Sequence, residues 1–390
     1  MRTVILSSCV LMMLFMASVG FATAPEEDVS FFDPTKIQAT PISAQPNKAE
    51  VDQTEPSPTP TIQQGDKVTI TITAVGDTTI GTNHKKYSKM EQSIFGKELK
   101  RQDGDMNFYL KNIKDVLLSD DLTIANFEGT LADKVTIPSE KSENSYLFRA
   151  PVEFATTLLP NGIEAVSLEN NHVYDFGEDG YQSTVDALEA QGVVYSNKTT
   201  LGVYEVKGIK IGMLSYQTFN GAYDEIYATM PGQIQSAREE GCDIVIVSYH
   251  WGDELDYHPN TNQQKLGKAT IDAGADLVLG HHSHRINPIE EYKGKYIVYS
   301  LGNFSFAGHS NPSDKFTFIF QIRFMFREGE IWKKPEFRII PASISSKKEI
   351  NDFIVTPLDN RISIDTVLLN LEKNGKRIDN PVESYPLEWN

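Results

Sequence analysis

From Lys67 to about His282 short β-branched runs, most closing on a polar tip, alternate with stretches of helical spacing. "KVTITITAVGD" closes on Gly76-Asp77, and "LTIANFEG", "IEAVSLENNH", "VVYS", "DIVIVSYH" and "ADLVLGHH" read as further strands. Between them, "MNFYLKNIKDVLL", "PVEFATTLLPNG", "DGYQSTVDALEAQG", "PGQIQSAREEG" and "NQQKLGKATIDAG" space their apolar residues as helices do. Such alternation demands a parallel or mixed sheet with helices outside it. Segments around Lys207-Gly208 and Lys293-Gly294 read as hairpins, and Phe316, Phe318, Phe320, Ile322, Phe324 and Phe326 alternate strictly before a turn at "REGE". Those segments need a second, more antiparallel sheet to cover their apolar faces. The expected fold class is therefore α/β: two packed mixed β-sheets flanked by helices, an α/β/β/α sandwich that one domain can hold.

The strand tips are chemically unusual. Five of them carry Asp77, Asn126 with Glu128, Asn170 to His172, His250, and His281, His282 and His284. In open α/β sheets ligands bind beyond the carboxyl ends of the strands, so these tips should share one rim. Carboxylate, amide oxygen and imidazole without thiolate suit Zn, Mn or Fe. Taken singly, each has a bland reading. A histidine at a strand end is more often a hydrogen-bonded structural residue, and an aspartate after glycine often caps a helix or a turn. Five such accidents at successive tips are improbable together. His282 and His284, two apart, would point the same way if strand geometry continued through them. Cys242 reads as packing only, and Glu254, Asp256 and His258 as a polar loop beyond His250.

Outside this region the chain changes character. Residues 1–24 have a single charge, Arg2, and read as a signal peptide or an N-terminal membrane anchor. Residues 25–65 hold seven prolines and seven acids against two lysines, the composition of an extended, disordered tether. The expected organisation is completed by a domain over 66–345 and a C-terminal extension over 346–390. Formal net charge is −17 for the whole chain. This strongly acidic balance argues against nucleic acid as a partner.

The motifs "VGDTTIG", "NFEGTL", "NNHVYDFGEDG", "HWGDE", "GHHSHRINPIEEYKG" and "YSLGNFSF" resemble, in order, the calcineurin-like metallophosphoesterase superfamily. More narrowly they resemble its CapA-type branch of poly-γ-glutamate capsule biosynthesis proteins, over roughly residues 68–308. The resemblance implies a metallophosphoesterase-like double sheet with a dinuclear site. Asp77 and His284 would hold the first metal, Asn171, His250 and His282 the second, and Glu128 would bridge them. His172 would be the proton donor to a leaving group. Thr79 stands where the superfamily has a histidine, and Glu128 where it has an aspartate. The expected cofactor is therefore a divalent metal (Mn, Zn or Fe) with one tight and one weak site. An exported protein acting in capsule or envelope polymer biosynthesis or export is implied, at the extracellular face of the membrane or secreted. Its substrate would be an anionic polymer or a phosphoester, and its partner a membrane-bound polymer synthase complex. A secreted phosphoesterase of unrelated purpose and a non-catalytic polymer-binding module are the alternatives.

Overall fold

A computed structural model describes residues 42–44, 67–139, 141 and 145–389. Most of the segments read as signal and tether lie outside the described residues. Within the latter, Ile42–Ala44 forms a strand running parallel beside Gly202–Tyr204. The strand Gly202–Val206 otherwise presents a bare edge, and unpaired edge amides recruit whatever extended chain is near.

Two large sheets face each other. The first runs in the order 42–44, 202–206, 209–217, 244–250, 277–281, 295–298, 289–292. The second runs 356–357, 336–343, 316–327, 67–79, 122–127, 165–167, 194–196, with 303–306 paired beside 67–79. Alternation along each strand sorts its side chains between layers. Ile70, Ile72 and Ala74 of one sheet and Ile244, Ile246, Leu277 and Leu279 of the other share the core between the sheets. The intervening residues point outward: Val245, Val247 and Val278 meet the helices Tyr223–Glu239 and Thr261–Asp272. Val75, Ala125 and Val166 pack on the opposite flank with Leu188 of the helix Gly177–Ala190. The architecture is the expected α/β/β/α sandwich.

The distribution of strand directions differs from expectation. Neither sheet is the antiparallel one: the first has a parallel centre between two hairpins, with 42–44 added parallel at its edge, and the second is parallel from 67–79 to 194–196 and antiparallel from 67–79 to 356–357. The hairpins Gly202–Gln217 and Ile289–Val298 border the first sheet. Both turn at Lys-Gly pairs with positive φ at both residues, 53° and 74° in one and 52° and 75° in the other, the backbone of a type I′ turn. The phenylalanine strand Phe316–Arg327 lies antiparallel to Lys67–Thr79, which is parallel to Leu122–Phe127 on its other side. The two parallel centres thus end on the same rim.

Two expected helices are only short turns. "MNFYLKNIKDVLL" forms a 3-10 turn at Phe108–Leu110 and four helical residues at Lys114–Leu117. Phe108, Tyr109 and Leu110 are all buried, so no polar face remains for an amphipathic helix. "PVEFATTLLPNG" winds as 3-10 turns in which Pro160 lacks the amide a continuous helix would need. A helix at Arg361–Gly375, capped by the Asn360 side chain on the Ser363 amide, sends Val367 and Leu371 into the core between the sheets.

Candidate metal centre

The seven residues given site roles, Asp77, Glu128, Asn171, His172, His250, His282 and His284, meet at this rim. Asp77 is placed by Gly76, where an added Cβ would lie 2.0 Å from the carbonyl oxygen of Gly302. That close approach lets the Asp77 amide donate to the Gly302 oxygen at 2.9 Å. A register shift between Ala74 and Asp77 sets Asp77 opposite Asn126, whose Nδ2 donates to Asp77 Oδ1 at 2.8 Å. Glu128 follows Phe127, and its amide donates to the Thr78 oxygen. His250 ends its strand paired with His281.

Distances tie the set together. His250 Nε2 lies 2.8 Å from Asn171 Oδ1, 3.0 Å from His282 Nδ1 and 3.6 Å from Glu128 Oε1. His284 Nδ1 lies 3.1 Å from Asp77 Oδ2, and its Nε2 lies 3.9 Å from Glu128 Oε1. His172 Nε2 is 4.0 Å from the same Glu128 oxygen. Asp77 and Glu128 are fully buried.

The strand does not continue through the last two histidines. It ends at His281, and His282 and His284 adopt φ of 94° and 52°. Positive φ is costly for residues with a Cβ and is kept only where the surroundings enforce it. Their rings still reach the same site, 6.1 Å apart, because the loop turns back on itself.

Thr79 has a different task from a ligand: its Oγ1 donates to Glu128 Oε2 at 3.3 Å. That bond leaves Glu128 Oε1 buried without a hydrogen-bond partner among the described residues. Such an orphan costs several kcal/mol unless something positive meets it. Ligands held about 2.1 Å from one ion in a tetrahedron stand about 3.4 Å apart. His250 Nε2 alone stands near such spacings from its three neighbours, at 2.8, 3.0 and 3.6 Å. On the other side, donor atoms of Asp77, Glu128 and His284 all lie within 4.8 Å of one another. The residues present fit a divalent metal.

The electrostatics divide the imidazoles into two groups. Burial, reinforced by neighbouring imidazoles, holds His250 well below the ordinary histidine range and His282 at about 4. Both therefore keep the neutral, lone-pair form that binds metals. Burial pushes Glu128 up to about 7. Burial also opposes the charge on His284, but Glu128 and Asp77 outweigh it and raise the ring to about 9. His172 is raised in the same way, burial being overcome by Asp175, whose Oδ2 lies 2.8 Å from His172 Nδ1.

Several contributors are absent from the sequence-derived set. Asn303 Oδ1 lies 2.9 Å from His284 Nδ1 and fixes that ring, leaving Nε2 toward Glu128. Asp175 orients His172, and its spacing three residues on was a readable signal. Phe219 meets the His282 ring at 4.6 Å, Phe148 the His172 ring at 4.4 Å and Phe306 the His284 ring at 5.4 Å. Nothing local in the sequence marks these three aromatic walls.

Residues 71–307 match the family described as bacterial capsule synthesis protein PGA_cap, and the chain belongs to that family. It is 29% identical over 212 residues to the PGA biosynthesis protein CapA of Bacillus subtilis, covering 50% of this chain and 55% of that protein. It is 27% identical over 258 residues to the capsule biosynthesis protein CapA of Bacillus anthracis, covering 61% and 60%. The chain thus matches somewhat over half the length of these relatives. Among solved structures, the sulfate thiohydrolase SoxB of Thermus thermophilus aligns with a TM-score of 0.35 at 12% identity, over 71% of this chain and 47% of that one.

Proposed function

We propose that this chain is an exported component of poly-γ-glutamate-type capsule or envelope polymer biosynthesis, at the outer face of the membrane or secreted. In this reading its rim is a metal-dependent hydrolytic centre working beside a membrane-bound polymer synthase. The observation that carries the catalytic part is the orphaned Glu128 Oε1, buried among three imidazoles. Family membership and the names of the Bacillus relatives support the biological setting. The apolar segment over 1–24 and the Pro-rich stretch after it support export.

Asn171, His250, His282 and Glu128 would hold one ion, and Asp77, Glu128 and His284 a second, weaker one. A divalent ion there supplies charge neutralisation at a carbonyl or phosphoryl oxygen and activates water. The chain's own groups do the rest. Asp175 holds His172 by its Nδ1, so Nε2 faces the centre as an acid. In cleavage of a γ-glutamyl amide, water adds to the carbonyl carbon, the C–N bond breaks, the departing nitrogen takes its proton from His172 Nε2, and the proton shed by the attacking water restores His172. Phe148, Phe219 and Phe306 wall the site and limit competing water.

The test is metal analysis of the purified protein, then turnover assays with poly-γ-glutamate and with a phosphodiester. We expect bound metal, metal-dependent shortening of poly-γ-glutamate, and a loss of about 10²–10⁴ in rate for His172→Asn with metal retained. Turnover of the phosphodiester alone would reassign the substrate. Metal-loaded protein that binds the polymer without cleaving it would make the centre a grip.

A further inference from the structure

A strongly acidic protein should repel a polyanion, and the fold contains a local exception. Residues 85–101 carry six lysines and arginines against two glutamates, in a chain of net charge −17. Lys86, Lys89, Lys97 and Lys100 are exposed, and among the described residues none of the four is in an ion pair. Lys97 and Lys100 lie three apart on the helix Ile94–Arg101, whose Phe95 faces the core. A charge run is ordinarily a solvated face; its position is what singles this one out.

The segment begins at the wall of the metal centre. Asn83 pairs with Phe148, and the His84 amide donates to the Leu147 oxygen at 2.7 Å. Phe148 is the ring that packs on His172. Lys86 and Tyr87 line a small cavity together with Ala307 and Gly308, directly after the Phe306 that packs on His284. The loop after His250 has the opposite sign, with Asp253, Glu254 and Asp256 exposed. One approach to the rim is thus basic and another acidic.

We propose that the lysine face over residues 85–101 is the track along which an anionic polymer of the poly-γ-glutamate kind reaches the centre. This rests on the substrate class proposed above. Each γ-linked residue carries one free carboxylate, so an extended chain offers a row of charges to a row of lysines. The acidic loop repels the same chain, which restricts its approach to the lysine side.

The experiment is equilibrium binding of end-labelled poly-γ-glutamate to the full chain at several NaCl concentrations. It compares wild type, Lys86→Glu/Lys89→Glu/Lys97→Glu, and a control of equal charge change, Lys265→Glu/Lys373→Glu/Lys376→Glu. Reversal on the track should weaken binding about tenfold or more and flatten its salt dependence, while the control changes it by less than about threefold. Thermal unfolding checks that both variants fold. Equal losses in the two variants would overturn the track while leaving the substrate class standing. A wild type with no affinity for the polymer would overturn both. Vesicles rich in anionic lipid that bind through Lys86, Lys89 and Lys97 and displace the polymer would also overturn the track, because the face would then serve a membrane.

Discussion

The second sheet holds carboxylates at both of its ends, fully buried at one and half-buried at the other, and the two ends treat them differently. At the carboxyl ends of the strands, Glu128 is pushed up to about 7 by burial, and one of its oxygens has no hydrogen-bond partner among the described residues. At the amino ends, burial pushes Asp120 up to about 8 and Glu164 to about 7. Those oxygens are nevertheless satisfied. The Thr123 hydroxyl donates to Asp120 at 2.8 Å, and the Thr123 amide donates to Glu164 at 2.8 Å. Raised carboxylate pKa values are therefore common to both ends and identify neither. The distinguishing feature of the rim is an orphaned oxygen set among three imidazoles and beside the neutral His250–His282 pair, a set that a cation completes and a proton alone does not.

The largest expected effect separates the two sides of the rim itself. In the proposed two-ion reading His282→Ala removes one of four donors about one position, and total structural-zinc binding energies of roughly 10–16 kcal/mol imply a loss of several kcal/mol. The tightly held ion should be lost on dialysis. His284→Ala should spare it and remove only the ion gained when metal is in excess. Mass-spectrometric metal content of wild type and both variants decides this. Equal loss in both would show that the two positions cannot be loaded separately. Asp120→Asn, at the other end of the sheet, should change metal content not at all.

A smaller effect is expected from Gly76→Ala. The new Cβ would meet the Gly302 oxygen at 2.0 Å, so the strands 67–79 and 303–306 must separate. Overpacking of this kind costs typically about 1–3 kcal/mol. It also moves Asp77 away from His284, so metal at the Asp77 side should weaken together with urea resistance. Retained stability with lost metal would show that the rim flexes independently of the sheet beneath it.

How far the rim was legible in sequence follows from where its parts sit. Asp77, Glu128, Asn171, His250, His282 and His284 stand at or just past strand ends. Short β-branched runs mark such ends, and the rule that parallel strands direct ligands to their carboxyl ends brings them together. The sandwich followed from strict alternation, as in the phenylalanine strand. Sheet membership did not, since period-two patterning says which face is apolar and nothing about the neighbouring strand. The left-handed backbone of His282 and His284 was equally invisible, because tertiary contacts impose it against local preference. Asn303 and the three phenylalanines become site residues only when distant loops close over the rim. The helix Arg361–Gly375 has its apolar contacts set by the gap it fills between the sheets.

The smallest effect belongs to the amino ends and has a definite sign. Asp120 has a folded value of about 8 against an ordinary 3.8, and Glu164 about 7 against 4.5. Between those limits the folded chain holds protons that the unfolded chain has released. Stability from these two groups is therefore fully present below about pH 4 and is lost as pH rises through 7 to 8. Asp120→Asn keeps the shape and an oxygen for the Thr123 hydroxyl but removes the charge. Each unit of pKa shift corresponds to about 1.4 kcal/mol, and partial access to water discounts the sum, so a gain of about 1–2 kcal/mol at pH 9 is expected. At pH 4, where Asp120 is protonated in the folded chain, variant and wild type should unfold at nearly the same urea concentration. A variant less stable at pH 9 would mean that the ionised carboxylate is needed there, by Thr73 and Thr123 or by a cation. The contrast between a proton-satisfied end and the end proposed to hold metal would then fail.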